Sequence, residues 1–120
     1  MTREEPLHSF KKNERLLRRE EFLRVSREGW RVAGRHFIVI RLPRSNSPAK
    51  IGITASRKVG GAVVRNHIKR LVRECYRLNK KWFQSADYSI IARSSAAHLD
   101  LGGVCNDLVR TLRQFKAEHG

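Results

Sequence analysis

The residues of this sequence best suited to chemistry lie between positions 57 and 73: Arg57, Lys58, Arg65, Asn66, Lys69, Arg70 and Arg73. A guanidinium is planar and donates hydrogen bonds in pairs, which matches the oxygens of a phosphate. Asn66 both donates and accepts, which suits a ribose hydroxyl or a base edge. At about 100° per residue, Arg65, Asn66, Lys69, Arg70, Arg73 and Arg77 fall within an arc of ~140° on a helix. Val64, Ile68, Leu71, Val72, Cys75 and Leu78 fill a separate arc of ~120°, with His67 and Glu74 at one boundary. A merely solvated face interleaves both signs, because opposite charges four apart stabilise a helix. Here Arg65, Lys69 and Arg73 repeat one sign at that spacing, which costs helix stability, and Glu74 offsets only Arg70 and Arg77. The pattern favours a phosphate-binding face. The turn before it, Lys58 to Gly61, adds glycines that let a ligand approach the backbone, followed by the free N–H groups of a helix start. It is not a P-loop, since GxxxxGK[ST] is missing.

No second constellation supplies catalysis. His8, His36, His67, His98 and His119 are scattered, and no signature links a nucleophile to a base. Most acids sit where they favour helix starts, and Asp87, Asp100 and Asp107 do not have metal-ligand spacing. Cys75 and Cys105 form no CxxC pair and lie among apolar neighbours, so they are expected to be buried thiols. The sequence therefore predicts no catalytic side chain, no metal site and no protein-bound cofactor.

The elements that position the cations follow from composition and period. A chain of 120 residues with net charge +15 is expected to be one domain with an anionic partner. Nucleic acid is the first candidate and an anionic membrane surface the second. No apolar run reaches the ~20 residues of a membrane span, and no signal-peptide core opens the chain, so a cytoplasmic protein is expected. Residues 1–18 predict a basic arm packed on the domain, anchored by Leu7, Phe10, Leu16 and Leu17. Residues 19–28 predict a short helix, with acids in its first turn and Gly29 after it. RHFIVIRLP and KIGITAS predict strands, and the short RSNSP loop between them suggests an antiparallel hairpin. Residues 29–33 offer a further short strand. The basic helix spans about 62–78, a strand follows at 87–93, and SSAAHLD is a loop that ends in the N-cap Asp100. A last helix carries Leu101, Val104, Cys105, Leu108, Leu112 and Phe115. The sum is an α+β two-layer sandwich with a small mixed sheet, about three helices and one strand–helix–strand crossover.

The stretch SRKVGGAVVRNHIKRLVRECYR resembles the RNR signature of the bacterial ribonuclease P protein family. The resemblance extends over about residues 10–115, through FKKNERLLRREEF, GRHFIVIRL, KIGITASRKVG and DYSIIAR. It implies a ribosomal-protein-like sandwich with a left-handed crossover around the basic helix, against the ordinary right-handed rule. It further implies a protein that binds a catalytic RNA and helps it remove the 5′ leader of precursor tRNA, with the RNA and Mg²⁺ carrying the phosphodiester chemistry. Arg57, Lys58, Arg65, Asn66, Lys69, Arg70 and Arg73 would then contact the catalytic RNA. A cleft between the first helix and the sheet would take the single-stranded leader, with Arg15, Phe22, Phe37 and Ile40 as its residues. Three positions depart from the family pattern. His67 stands where the motif usually has Arg, Ser26 where many members carry Phe or Tyr, and Ile40 where some carry Tyr. Leader contacts here would lean on Phe22 and cations more than on stacking.

Two other readings share the charge and size. One is a ribosomal or ribosome-assembly RNA-binding protein without enzymatic role. The other is a DNA-binding regulator with 62–78 as recognition helix, although strands rather than a partner helix precede it.

Overall fold

The computed structural model describes residues 14–44, 49–83 and 85–119. The arm anchors Leu7 and Phe10 and most of the RSNSP loop lie outside the described residues. Three helices, α1 (Arg19–Glu28), α2 (Ala62–Leu78) and α3 (Leu101–His119), pack on four strands, β1 (Trp30–Ala33), β2 (Phe37–Pro43), β3 (Lys50–Ala55) and β4 (Ala86–Ala92). Short 3-10 turns cover Lys80–Trp82 and Ser94–His98. No helix among the described residues is long and apolar enough to cross a membrane.

The sheet order is β1-β2-β4-β3. The pairs β1–β2 and β2–β4 are antiparallel, while β3 and β4 are parallel neighbours joined through α2. The expected hairpin between β2 and β3 does not form, because β4 inserts between them. The physical reason is burial. Ala86 to Ile90 are all buried, so β4 needs a neighbour on both sides, whereas β3 tolerates an edge with Thr54 exposed. The connection after β2 is held across the end of β4. Arg44 N–H donates to the Ser85 carbonyl at 3.1 Å, and its guanidinium meets Asp87 at 2.7 Å.

The outer edge of β3 is covered in its turn. Arg15 bridges Ile51 in parallel register, and Leu16 N–H donates to the Ile51 carbonyl at 3.1 Å. Glu14 is buried there, accepting from Tyr76 O–H at 2.5 Å and from Lys80 Nζ at 3.0 Å. Burial, with this carboxylate beside it, pushes the Tyr76 phenol well above its ordinary range. The described end of the arm is thus tied down by this buried network and by Leu16, whereas Leu17, expected as an anchor, is exposed.

The sheet separates two cores. One face packs on α2 and α3 through residues such as Val39, Ile90, Ile68, Val72, Val104 and Leu108. The other packs on α1 through Leu16, Val25 and Ile40. Cys75 of α2 and Cys105 of α3 have Cα atoms 5.6 Å apart and are joined as a disulfide, where separate buried thiols were expected. Both lie on the seam where α2 meets α3, a contact that their spacing of 30 residues does not reveal. The expected N-cap of α3 is present, with Asp100 Oδ1 accepting from Gly103 N–H at 2.8 Å.

Candidate nucleic-acid interface

The cationic helix is positioned from both ends. Before it, Val59 is buried and anchors the turn, and Gly60 takes a φ of +153°, which an L side chain rarely adopts. Gly61 is the N-cap and supplies no side-chain acceptor, and the first turn of α2 contains no acid. Its N–H groups are therefore left to solvent or an anion beside Arg57 and Lys58, both exposed. At the far end, Asn79 Nδ2 donates to the Cys75 carbonyl at 3.0 Å and closes the helix.

Helix burial rotates the face relative to the sequence wheel. Tyr76, which lies between Arg65 and Lys69 on the wheel, is buried along with Ile68, Val72 and Cys75. Its aromatic ring meets Phe83 edge-on, with centroids 5.1 Å apart, and Phe83 meets Tyr88 at 5.2 Å. As a result Arg65 and Lys69 move to the flank and are half-buried, while Asn66, His67, Arg70 and Arg73 are exposed. Arg65 Nε is buried without a hydrogen-bond partner among the described residues. Glu74 is committed to Arg77, at 2.6 Å, and so leaves Arg70 to the face. Among the described residues, none of Arg57, Lys58, Arg65, Lys69, Arg70 and Arg73 is in an ion pair. A surface with this many uncompensated cations is built for phosphates rather than for helix stability.

The α1 side of the sheet forms a second surface. The register sets its side chains in cross-strand rows. Arg31, Ile40, Ser89 and Gly52 form one row, and Ala33, Ile38, Ile91 and Thr54 the next. Helix α1 lies over the first row. Lys50 Nζ meets Glu21 at 3.3 Å on one side. Burial alone would push the Glu21 carboxyl up, but hydrogen bonds from Arg18 and Leu17 N–H and from Lys50 outweigh it and hold the carboxyl below its ordinary value. The opposite side of α1 carries Phe22 and Ser26, one turn apart. The second row stays open beside them, with Ala33 and Thr54 exposed and Ile38 and Ile91 half-buried. It forms an apolar shelf with Phe22 at its wall.

Of the expected cleft residues, Phe22 lies on this shelf, and Arg15 is exposed at the β3 edge in register with Ile51, which belongs to the core on the opposite face. Ile40 is on the correct face but only 3% exposed beneath α1. Phe37 is a correction: it is fully buried on the opposite face, in the core with α2 and α3. Residues 37 and 40 differ in parity, and a strand sends them to opposite faces. The same parity argument, applied from Ile40, picks out Ile38 on β2, and the pairing of β2 with β4 then adds Ile91.

The shelf reaches the end of the sheet where β3 runs on into Ser56, Arg57 and Lys58. Arg93 follows β4 at that end, and its guanidinium donates to the Gly34 carbonyl at 3.0 Å. The β1–β2 turn there is held by Asp107 of α3, which accepts from His36 and Phe37 N–H at 3.1 Å each. The cationic turn that leads into α2 and the apolar shelf therefore lie at the same end of the sheet.

A mixed sheet with one bare cationic helix and an adjoining apolar shelf defines a small RNA-binding protein. Residues 10–116 match the Ribonuclease P family. The chain is 46% identical over 107 residues to the ribonuclease P protein component of Geotalea uraniireducens, covering 89% of this chain and 95% of that one. It is 42% identical over 106 residues to that of Geobacillus thermodenitrificans, covering 87% and 88%. Among solved structures it resembles the Staphylococcus aureus RNase P protein at TM-score 0.79 and 32% identity, covering 88% and 97%. It also resembles the RNase P protein from Thermotoga maritima at TM-score 0.75 and 31% identity, covering 84% and 96%. The chain belongs to the ribonuclease P protein family: its partner is ribonuclease P RNA, and its role is that of the RNA-binding protein component of this tRNA-processing ribonucleoprotein endonuclease. The readings as a ribosomal protein or a DNA-binding regulator fall away.

Proposed function

We propose that the chain holds two RNAs at once, in the cytoplasm. Arg57, Lys58, Arg65, Asn66, Lys69, Arg70 and Arg73 hold the catalytic RNA, and the shelf beside Phe22, with Arg15 at its edge, takes the 5′ leader of precursor tRNA. The observation that carries this reading is the open row Ala33, Ile38, Ile91 and Thr54, which ends at the same sheet edge as the cationic turn. Unpaired nucleotides offer apolar base faces to such a shelf, and the flanking cations meet their phosphates. Bond cleavage stays with the RNA and the Mg²⁺ it requires. Among the described residues, no three His, Cys, Asp or Glu side chains converge as metal ligands, and the buried acids Glu14, Asp87 and Asp107 are spent on structural bonds. The test is reconstitution with the cognate ribonuclease P RNA at low Mg²⁺. The protein should raise precursor cleavage and be inert alone; no stimulation would contradict the proposal.

A further inference from the structure

We propose that Gly52 is a positioning residue for the leader shelf: the side chain it lacks leaves a notch in β3 that seats the tip of Phe22 and fixes the aromatic wall. This rests on the leader reading above. A Cβ on Gly52 would stand 2.3 Å from Cε1 and 2.5 Å from Cζ of Phe22, and 3.0 Å from Leu16 Cβ. The tip of the ring therefore fills the volume that any other residue would claim. The glycine is not there for its backbone, since Gly60 is the positive-φ glycine among the described residues. Inside a strand a glycine costs stability and commonly marks a close approach. The floor of the notch is also small: the cross-strand partner of Gly52 is Ser89, itself buried.

A ring held by its tip cannot swing away from the shelf. That matters because Phe22 is the aromatic side chain the shelf has among the described residues. Phe37, Tyr76, Phe83, Tyr88 and Phe115 all lie in the core on the other side of the sheet, with Trp82 packed against it. Trp30 pairs with Arg41 in the register of that same side, and Ser26 supplies no second ring. Displacing Phe22 would leave nothing to take its place.

The experiment uses the full chain reconstituted with its ribonuclease P RNA and reads the ratio of affinities for leader-bearing precursor and mature tRNA. Phe22→Ala tests the shelf and should lower the ratio about tenfold, the scale of one lost base–aromatic contact. Gly52→Ala should lower it nearly as much, with affinity for mature tRNA within about twofold of the parent. In a Phe22→Leu background, which lacks the tip atoms that fill the notch, adding Gly52→Ala should leave the ratio unchanged, whatever the remaining 3.0 Å contact with Leu16 Cβ does to Tm. That comparison decides the matter even where Gly52→Ala alone fails to fold. If Phe22→Ala lowers the ratio and Gly52→Ala does not, this inference is overturned and the shelf reading stands. If Phe22→Ala leaves the ratio unchanged, both fall. A further loss on adding Gly52→Ala to the leucine background would show that Gly52 acts apart from Phe22, and would also overturn it.

Discussion

The exposed face of α2 and the shelf under α1, the two surfaces proposed to bind RNA, are opposites in chemistry. The α2 face is exposed, cationic and without acids of its own beyond Glu74, which is committed to Arg77. The shelf is largely apolar, with Ile38 and Ile91 half-buried at its centre. Charge acts at long range and without fine geometry, so such a face grips any well-placed phosphate backbone. An apolar shelf acts only on contact and only where a strand register sets it, so it discriminates between RNAs that do or do not bring unpaired nucleotides to it. On the proposed reading the contrast would divide the work: α2 would supply affinity for the structured RNA, and the shelf a preference for precursor over product.

The largest expected effect separates the two by salt. Replacing Arg70 and Arg73 together by Ala should reduce the salt slope of catalytic-RNA affinity by about 0.7–0.9 per lost phosphate contact, measured as log affinity against log salt. The same slope after Ile91→Glu should match the parent. An unchanged slope in the arginine variant would return α2 to a solvated face. The next effect belongs to the shelf. Ile91→Glu puts a carboxylate in the open row and should weaken precursor binding about tenfold or more while sparing mature tRNA, as leader phosphates meet a like charge and the bases lose an apolar contact. Equal loss for both ligands would break the division of labour.

Smaller effects sharpen it. Tyr76→Phe removes a donor from the buried Glu14 and should cost about 1–3 kcal/mol of stability in a denaturant titration. RNA affinity per folded molecule should stay near the parent, because residue 76 is buried and phenylalanine keeps the ring packed against Phe83. Glu21, whose carboxyl is held below its ordinary value, stabilises the folded state above the unfolded-state pKa. That contribution is lost as pH falls through the lower folded value. Glu21→Gln should therefore flatten part of the acid limb of the Tm-against-pH curve and leave the neutral-to-alkaline limb alone. The smallest effect is expected at His67→Arg, which adds one permanent cation to an exposed position on the α2 face and should tighten catalytic-RNA binding by several-fold at most.

The two regions also differ in how well the sequence exposes them. The cations of α2 are contiguous along the chain, and like charges at four-residue spacing carry their own argument, so the helix bounds were legible and so was the cationic face on which the proposed function rests. Only the tilt of the face was hidden. Tyr76 sits among the cations on a helical wheel, and its burial depends on Glu14, far away in sequence, and on Phe83, beyond the end of the helix. The shelf is assembled from four strands and a helix, and its composition depends on pairing. Nothing local to KIGITAS says that β4 will come between it and β2, so a hairpin was the natural expectation from a short loop. Parity within FIVIRL did contain the information that Phe37 and Ile40 cannot share a face, but the resemblance to a family drew both into one site. The pairing of Cys75 with Cys105 failed to appear for the same reason as the order of the sheet: it is a contact between elements, and spacing along the chain does not encode it.

The most direct test of the division of labour is the dependence of precursor affinity on leader length, measured with the reconstituted holoenzyme and with the catalytic RNA alone. The protein should add affinity only once the leader is long enough to lie on the shelf. That gain should be absent for mature tRNA and should vanish with Ile91→Glu while the salt slope stays that of the parent. A protein-dependent gain of the same size for mature tRNA and for every leader length would contradict the account.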